Sequence, residues 1–226
     1  MSLQAGNHGY PVISNEDQLK ILKPYLPDNP VILEAGAFNG HDSVNFIKTW
    51  PQSQIYCFEP VSKLYEEVLQ NVSMYYPKIQ SFPYALGDKE GDVELFVSSF
   101  NYAPEVPTAS SSVLAPKEHL NYASHVIFPR TEKSRMVTID GWAQEHAVDH
   151  VDLLWLDMQG YELNALMHGQ KILSTVKAIS IEVEFVEAYK GQYLYQDIKT
   201  WLEAKGFHII AIVDYGWFGD ALFVRN

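Results

Sequence analysis

The sequence is poor in cysteine, in basic residues and in long apolar runs. Its single cysteine, Cys57, can form no internal disulfide, which excludes the small disulfide-stabilised folds. Lysine and arginine number 16 against 28 aspartate and glutamate residues, and a formal net charge of −12 would repel a nucleic-acid backbone. No apolar run is long enough to cross a membrane, and no signal-peptide pattern is present. We therefore expect a cytoplasmic protein without a nucleic-acid or membrane partner.

Length and composition fit one globular domain. The chain has 226 residues, of which 47% are hydrophobic and 19% are charged. This is enough for one α/β domain with a full core and too short for two ordinary domains joined by a linker. We expect a single domain over residues 1–226, with residues 1–14, which show no periodic pattern, as a loose leader.

Strand-like and helix-like patterns alternate along most of the chain. Short apolar runs typical of buried strands alternate with segments whose apolar residues recur at helical spacing. The predicted strands cover residues 31–35, 54–58, 79–85, 92–98, 151–156, 178–185, 207–213 and 221–224. The last two are predicted to form a hairpin. The pattern predicts an α/β fold with a doubly wound, mostly parallel sheet and one antiparallel edge strand.

Residues 98–136 break this alternation. Four prolines and the serine triplet at 110–112 interrupt every regular pattern except a short helix at 117–125. Regular order returns with a strand at 137–139 and a helix that Asp140 is predicted to cap. A connection this long inside a compact domain is typical of an active-site lid or a disordered segment. Because it lies between two major predicted strands, we expect a lid over the active site.

A glycine-containing turn joins the first predicted strand to a helix. Residues 34–40 read E-A-G-A-F-N-G, and the next strand ends on the carboxylate of Glu59. A strand that breaks at glycines and opens a helix presents free backbone N–H groups to a ligand. An acid that ends the second strand can accept hydrogen bonds from both hydroxyls of a ribose. This arrangement predicts a nucleoside-cofactor site.

The spacing of the glycines indicates which cofactor binds. A dinucleotide site requires G-x-G-x-x-G, whose later glycines let the backbone approach a pyrophosphate. Here the order is E-x-G-x-x-x-G, with Ala37 and Phe38 at the point of close approach. The loop suits a nucleoside without phosphates, such as S-adenosylmethionine. We expect its ribose at Glu59, its carboxylate at the helix N-terminus behind Gly40, and its ammonium near Glu34.

Carboxylates collect at the ends of the predicted strands. Buried parallel strands are normally apolar throughout, so acids at their tips indicate a lined crevice. Glu182 and Glu184 share one face of a strand, because side chains alternate along it. The carboxylates concerned are Glu34, Glu59, Asp88, Asp157, Glu182 and Glu184.

Two of these carboxylates are candidate catalytic residues. If S-adenosylmethionine is the cofactor and a hydroxyl accepts the methyl group, the site needs a group that aligns the oxygen and removes its proton. Asp157 or Glu184 would be that general base. Weaker candidates are His41, His119 and His125. The pair His146 and His150 has helical spacing but lacks a third ligand, so no metal site is predicted.

Three sequence blocks resemble the FkbM-type S-adenosylmethionine-dependent methyltransferases. They are L-E-A-G-A-F-N-G at 33–40, F-E-P at 58–60 with A-L-G-D at 85–88, and L-D-M-Q-G-Y-E-L at 156–163. The resemblance implies the seven-stranded, Rossmann-like sheet of class I methyltransferases. It also implies a small-molecule acceptor, with the methyl group going to a hydroxyl of a sugar or a natural product.

The resemblance assigns roles to single residues. Gly36 and Gly40 would wrap the methionine part of the cofactor, and Ala85 and Leu86 would flank the adenine. Asp157 would face the transferable methyl group. With the turn described above, the candidate cofactor-binding residues are Glu34, Gly36, Ala37, Gly40, Ser43, Glu59, Pro60, Ala85, Leu86 and Asp157.

The chain departs from the family pattern on the side of the site that an acceptor would contact. Phe38-Asn39 stands where the family commonly has Asn-Ile, Trp155 where it often has Lys, and Gln159 where it often has Glu. Two other functions stay open. A nicotinamide-dependent oxidoreductase would share the ribose acid but would need the missing pyrophosphate glycines. A non-catalytic nucleoside-cofactor-binding protein would keep the glycine turn without the base.

Overall fold

Strands and helices alternate along the described chain. The computed structural model describes residues 9–225. The strands are β1 (Val31–Ala35), β2 (Gln54–Phe58), β3 (Ile79–Phe82), β4 (Tyr84–Leu86), β5 (Gly91–Phe100), β6 (Ala103–Pro107), β7 (Val126–Val137), β8 (Leu153–Leu156), β9 (Ala178–Glu184), β10 (Phe207–Asp214) and β11 (Phe218–Arg225). The α-helices are α1 (Gln18–Leu22), α2 (His41–Thr49), α3 (Ser62–Val72), α4 (His119–Tyr122), α5 (Ile139–Glu145), α6 (Glu162–Met167), α7 (Gln170–Leu173) and α8 (Tyr195–Ala204). Between residues 9 and 225, none of the helices has the length and apolar character needed to cross a membrane.

The larger sheet has seven strands in the order β3-β2-β1-β8-β9-β11-β10. β11 is antiparallel to both of its neighbours, and the other pairings are parallel. The prediction of a mostly parallel sheet with an antiparallel strand at one edge is confirmed, and β11 lies next to the outermost strand. β1 pairs with β2 on one side and with β8 on the other, so the strand order reverses beside β1. Ligands of such sheets bind at this reversal, outside the carboxyl ends of the strands.

Apolar residues cover both faces of this sheet. Ile32 and Leu33 of β1 belong to different apolar clusters, because neighbouring residues of a strand point to opposite faces. Leu153 and Leu154 of β8 divide in the same way. All four side chains are buried. One cluster includes residues of α2 and α3 and the other residues of α5 to α8, so the doubly wound architecture is confirmed.

A second sheet of four strands, in the order β4-β7-β5-β6, contains much of residues 98–136. The expectation that this segment lacks regular structure beyond a short helix is therefore wrong. The prolines fit the strands because Pro104 and Pro107 lie on the edge strand β6, where a missing N–H breaks no pairing. Pro129 lies at the β-bulge where β7 shifts register against β5. The predicted helix at 117–125 is shortened to α4.

Pro83 divides the predicted strand at residues 79–85. β3 stays in the larger sheet, whereas β4 leaves it and pairs with β7, with Ala85 opposite Met136. A proline cannot donate to a strand ladder, so the pairing changes at this residue. The division brings the end of β4 alongside the ends of β1 and β2.

The described part of the predicted leader is attached to the sheet. Ile13 N donates to Ile212 O at 2.9 Å, and Ile212 N donates to Pro11 O at 3.0 Å. The Ile13 side chain is buried. For residues 9–14 the expectation of a loose leader is wrong, because two apolar residues are too few to produce a periodic pattern. The same expectation for residues 1–8 lies outside the described residues.

Helix α5 begins two residues earlier than predicted. Thr138 is its N-cap, and the Thr138 hydroxyl accepts from Gly141 N at 3.0 Å. Asp140, the predicted cap, instead accepts from Lys171 N and Ile172 N at 2.9 and 3.0 Å. Both residue types suit a cap, and the tertiary contact with α7 decides between them.

Candidate active site

The loops after β1, β2 and β8 are joined by backbone hydrogen bonds at the point where the strand order reverses. Gly36 N and Ala37 N both donate to Phe58 O, at 3.0 and 2.9 Å. Asp157 N donates to Ala35 O at 2.9 Å. Three chain segments that are distant in sequence therefore form one unit.

Gly36 occupies a position that excludes a side chain. Its φ of +85° lies in the left-handed region that favours glycine. A Cβ built there would lie 1.7 Å from the carbonyl oxygen of Asp157. The glycine is therefore required by the close approach of the loop after β1 to the loop after β8.

Glu59 lies directly after β2 and is buried. Its carboxylate accepts from Phe38 N at 2.9 Å and from Val61 N at 2.8 Å. Burial raises the pKa of Glu59 to about 8, although both backbone hydrogen bonds lower it. Each carboxylate oxygen keeps a further lone pair, so the group can still accept from two hydroxyls.

A first cavity opens above this unit. Glu59 and Pro60 line one side of it, and Ala85 and Leu86 from the end of β4 line another. Gly36 and Asp157 border it at the reversal of strand order. The predicted lid contributes a further part of the wall, with Thr108, Ala109, Ser111, Ser112 and Val113.

The remaining predicted cofactor residues lie behind the wall of this cavity. Glu34 and Ser43 are buried, and the Ser43 hydroxyl donates to the Glu34 carboxylate. Burial raises the pKa of Glu34 well above its ordinary value, with the charge of Asp42 adding to the shift. Gly40 has a φ of +80° and would place a Cβ 2.9 Å from Val72 Cγ1, so its contact is with α3. Ala37 is also buried.

A second cavity, of about 260 Å³, lies on the other side of Asp157. Trp155, Tyr215 and Phe218 contribute aromatic rings to its wall. Its polar wall residues are Asn15, Asp42, Asp157, Ser180, Glu182 and Asp220. Asp157 lines both cavities.

The carboxyl groups around Asp157 are perturbed by burial. Burial raises the pKa of Asp157, while hydrogen bonds with Gln159 and Glu182 lower it. Burial and the charge of Asp157 raise the pKa of Glu182 well above its ordinary value. Burial raises the pKa of Glu162 to about 8 and that of Asp220 to about 7. Several of these groups therefore hold protons near neutral pH.

Of the two predicted general bases, Asp157 lines a cavity and Glu184 lines neither. Glu184 is on the same face of β9 as Glu182 but two residues further along, and it is buried. Burial and the charge of Glu162 raise its pKa well above the ordinary value.

The structure adds residues that the sequence reasoning did not place in the site. Gln159 donates to Asp157 and Glu182 through its side-chain amide, and Tyr189 donates to the oxygen of that amide. Ser112 donates to the backbone carbonyl of Gln159 at 2.8 Å. Gln159 was visible in the sequence only as a departure from the family pattern, and Tyr189 carried no positional signal.

The histidines lie apart from this network of carboxylates. His119 is buried against Tyr189 and Trp217, and burial lowers its pKa to about 4. His41 and His125 are exposed. In residues 9–225, no three or more histidine, cysteine, aspartate or glutamate side chains are grouped so as to hold a metal ion.

The sequence profile of the Methyltransferase FkbM domain matches residues 34–209. The match includes the glycine turn, Glu59, Asp157 and Tyr189. The chain belongs to the FkbM methyltransferase family. This confirms the family that the three sequence blocks predicted. The protein is a methyltransferase that uses S-adenosylmethionine.

Two curated relatives resemble this FkbM methyltransferase along most of its length. It is 29% identical over 200 residues to the 2-O-methyltransferase NoeI of Sinorhizobium fredii (strain NBRC 101917 / NGR234), covering 88% of this chain and 80% of that protein. It is 23% identical over 212 residues to the methyltransferase sdnD of Sordaria araneosa, covering 81% of this chain and 76% of that protein.

Solved structures share the fold. The N-terminal domain of EvdMO1 with SAH bound matches with a TM-score of 0.52 and 10% identity over 98% of this chain and 84% of that one. Streptococcus pneumoniae Sp1610 in complex with S-adenosyl-L-methionine matches with a TM-score of 0.52 and 15% identity over 95% of this chain and 74% of that one. Both likenesses agree with the class I methyltransferase sheet predicted from the sequence.

The residues of the first cavity fit the cofactor of this FkbM methyltransferase. Gly36 lines the cavity, and because it has no Cβ to clash with the Asp157 carbonyl oxygen, the loops after β1 and β8 can meet at the cavity wall. The Glu59 carboxylate can accept from the ribose hydroxyls, and Ala85 with Leu86 presents apolar surface to a base.

Proposed function

We propose that this FkbM methyltransferase transfers the methyl group to a hydroxyl oxygen of a small-molecule acceptor, a sugar or a natural product. The observation that carries the proposal is that Asp157 lines both cavities. A donor in the first cavity and an acceptor in the second would meet at this carboxylate. The similarity to a protein named as a 2-O-methyltransferase supports oxygen as the accepting atom.

Asp157 is the general base of this proposal. When bound, S-adenosylmethionine supplies a methyl group on a positively charged sulfur. Asp157 would accept the proton of the acceptor hydroxyl and so make the oxygen a better nucleophile. Burial raises the pKa of Asp157, which makes its carboxylate a stronger base.

The second cavity supports a polyhydroxylated acceptor. Its carboxyl groups, among them Glu182 and Asp220, can accept hydrogen bonds from hydroxyls, and the protonated ones can also donate. Trp155 gives the cavity an apolar wall against which a ring can pack. The net charge of −12 favours a small molecule over a nucleic acid.

The test measures methyl transfer by the full chain to hydroxyl-containing compounds, each supplied separately. The protein is incubated with S-adenosylmethionine and, in separate reactions, with monosaccharides, myo-inositol or a phenol, and methylated product is detected by mass spectrometry. We expect an O-methylated product from at least one of them. Asp157→Asn should lower turnover by about 10²–10⁴-fold while S-adenosylhomocysteine still binds. The control Asp149→Asn, at an exposed carboxylate, should leave turnover unchanged.

Other results would overturn the proposal. A wild-type protein that binds S-adenosylhomocysteine but methylates none of these compounds would contradict a hydroxyl of a sugar or natural product as the acceptor. Full turnover by Asp157→Asn would exclude Asp157 as the base.

A further inference from the structure

The side-chain amide of Gln159 bridges two buried carboxyl groups. Its Nε2 lies 2.7 Å from Asp157 Oδ1 and 2.6 Å from Glu182 Oε2. The backbone of Gln159 has a φ of +56°, a left-handed conformation that is uncommon outside glycine. Gly160, which follows it, has a φ of +93°. This sharp turn directs the amide back toward the end of β8.

The opposite end of the amide is held by Tyr189. The Tyr189 hydroxyl lies 2.7 Å from Gln159 Oε1 and 3.0 Å from Ser110 O, and the residue is fully buried. The ring packs against His119 and Phe128, which fixes the position of the hydroxyl. The hydroxyl has one proton and two acceptors within reach, and Gln159 Oε1 is the nearer of them. A proton directed to Gln159 Oε1 keeps the oxygen end of the amide at Tyr189. The NH₂ end then faces the two carboxyl groups.

The orientation of the amide changes which form of the carboxyl groups is favoured. An NH₂ group that donates to Asp157 and Glu182 stabilises their ionised forms. An amide turned around would present its oxygen, which accepts only from a protonated carboxyl group. Without a donor at the position of the Tyr189 hydroxyl, the orientation of the amide would be decided by the protonation state of the two carboxyl groups alone.

We propose that Tyr189 and Gln159 are a positioning pair, in which Tyr189 fixes the orientation of the Gln159 amide so that its NH₂ group holds Asp157 in the ionised form. The inference rests on the proposed function, because it takes Asp157 as the group beside the transferable methyl. Ser110 and Ser112 of the predicted lid contact the same pair, through Ser110 O and the Ser112 hydroxyl. The pair therefore also links the lid to the proposed base.

Other ionisable groups surround Asp157. The experiment must therefore distinguish their effects on cofactor binding from the effect of the positioning pair. S-adenosylmethionine and S-adenosylhomocysteine share the adenosine and amino-acid parts, so effects of Glu59 on ribose binding cancel in the ratio of their dissociation constants. The ratio reports the charge beside the sulfur, which is positive only in S-adenosylmethionine. The groups that face or influence Asp157 are Glu34 on β1, Asp42 on α2, Glu59 after β2, Glu162 on α6, Glu182 and Glu184 on β9, Tyr189, Tyr215, and Asp220 on β11.

The experiment measures both dissociation constants by titration calorimetry from acidic to mildly alkaline pH, for the wild type and for Tyr189→Phe. In the wild type, the preference for S-adenosylmethionine should rise with pH as the carboxylate ionises. In Tyr189→Phe the midpoint of this rise should move up by about one pH unit, because a hydrogen bond to the charged form is weakened. Gln159→Leu, which removes the amide, should shift the midpoint in the same direction.

The matched control is Tyr65→Phe. Its hydroxyl donates to Ser81 O at 3.1 Å, away from this network, so the midpoint should stay at the wild-type value. If both ligands bind and neither Tyr189→Phe nor Gln159→Leu moves the midpoint, the positioning inference is wrong while the proposed function stands. If neither ligand binds the wild type, the proposed function itself fails.

Discussion

Gly36 and Asp157 are in backbone contact across the boundary between β1 and β8. A Cβ on Gly36 would lie 1.7 Å from the Asp157 carbonyl oxygen, well inside van der Waals distance. The turn proposed to approach the cofactor and the loop that carries the proposed base are therefore packed directly against each other. A change at Gly36 should disturb both functions together.

We expect Gly36→Ala to lose S-adenosylhomocysteine binding. The added methyl group would push the loop after β1 away from Asp157, in addition to the strain of a positive φ. Gly191→Ala is the matched control, because Gly191 also has a positive φ but a Cβ there meets nothing within 4 Å. Titration calorimetry measures both. Wild-type affinity in a folded Gly36→Ala variant would show that the turn does not approach the ligand.

We expect the affinity for S-adenosylhomocysteine to increase between about pH 6 and the pKa of Glu59, which is about 8. Only the ionised carboxylate offers acceptors to both ribose hydroxyls, so the ligand favours the deprotonated group. Glu59→Gln should weaken binding by about tenfold or more and should remove this pH dependence. An unchanged pH dependence in Glu59→Gln would mean that the ribose lies elsewhere.

Thermal stability of the ligand-free protein should fall as the pH rises from about 5.5 to 8.5. Burial raises the pKa of Glu59 and Glu162 to about 8 and that of Asp220 to about 7. The folded protein then binds the protons of these carboxyl groups more tightly than the unfolded chain does. Proton binding therefore stabilises the fold at low pH, and this contribution is lost as the pH rises through the raised pKa values. Each kcal/mol lost should lower Tm by about 2–4 °C.

Circular dichroism melts over this pH range check the dependence. Glu162→Gln should flatten it, because the amide oxygen can still accept from Met158 N and Gly160 N without titrating. Glu66→Gln, at an exposed position on α3, should leave the pH dependence as in the wild type. A Tm that rises toward alkaline pH would contradict the raised pKa values.

The sequence predicts a lid over residues 98–136, and we propose that residues 108–113 of this segment close over the ligand. Bound S-adenosylhomocysteine should then protect the segment from proteolysis. Thr108, Ser111, Ser112 and Val113 form part of the wall of the first cavity, so a bound ligand should contact this segment. Limited proteolysis should cut at exposed Glu105 or Lys117 and should slow when ligand is added.

Cleavage after exposed Lys205 serves as the control for this proteolysis and should be insensitive to the ligand. Resistance at Glu105 and Lys117 without ligand would instead identify the segment as a fixed wall. In that case β6 and β7, which both pair with β5, would hold it in place.

The sequence by itself determined the elements whose signals are local. The strand ending at Ala35, the glycine turn and the acid at Glu59 follow one another within 29 residues, so spacing alone indicates a nucleoside site. The apolar runs of β8 and β9 likewise predicted buried parallel strands. Because these signals depend on residue type and chain order, they can be read without knowing what packs against them.

Only the tertiary structure decided how distant segments meet. β7 contains a proline and many polar residues, so no local pattern predicts it as a strand. It is held in the sheet by its pairing with β4 and β5. Gln159 and Tyr189 are 30 residues apart, and a hydrogen bond between them forms only when β8 and β9 have packed side by side. The orientation of such polar groups depends on buried contacts across the fold, and this is why the cofactor could be inferred from the sequence whereas the environment of Asp157 could not.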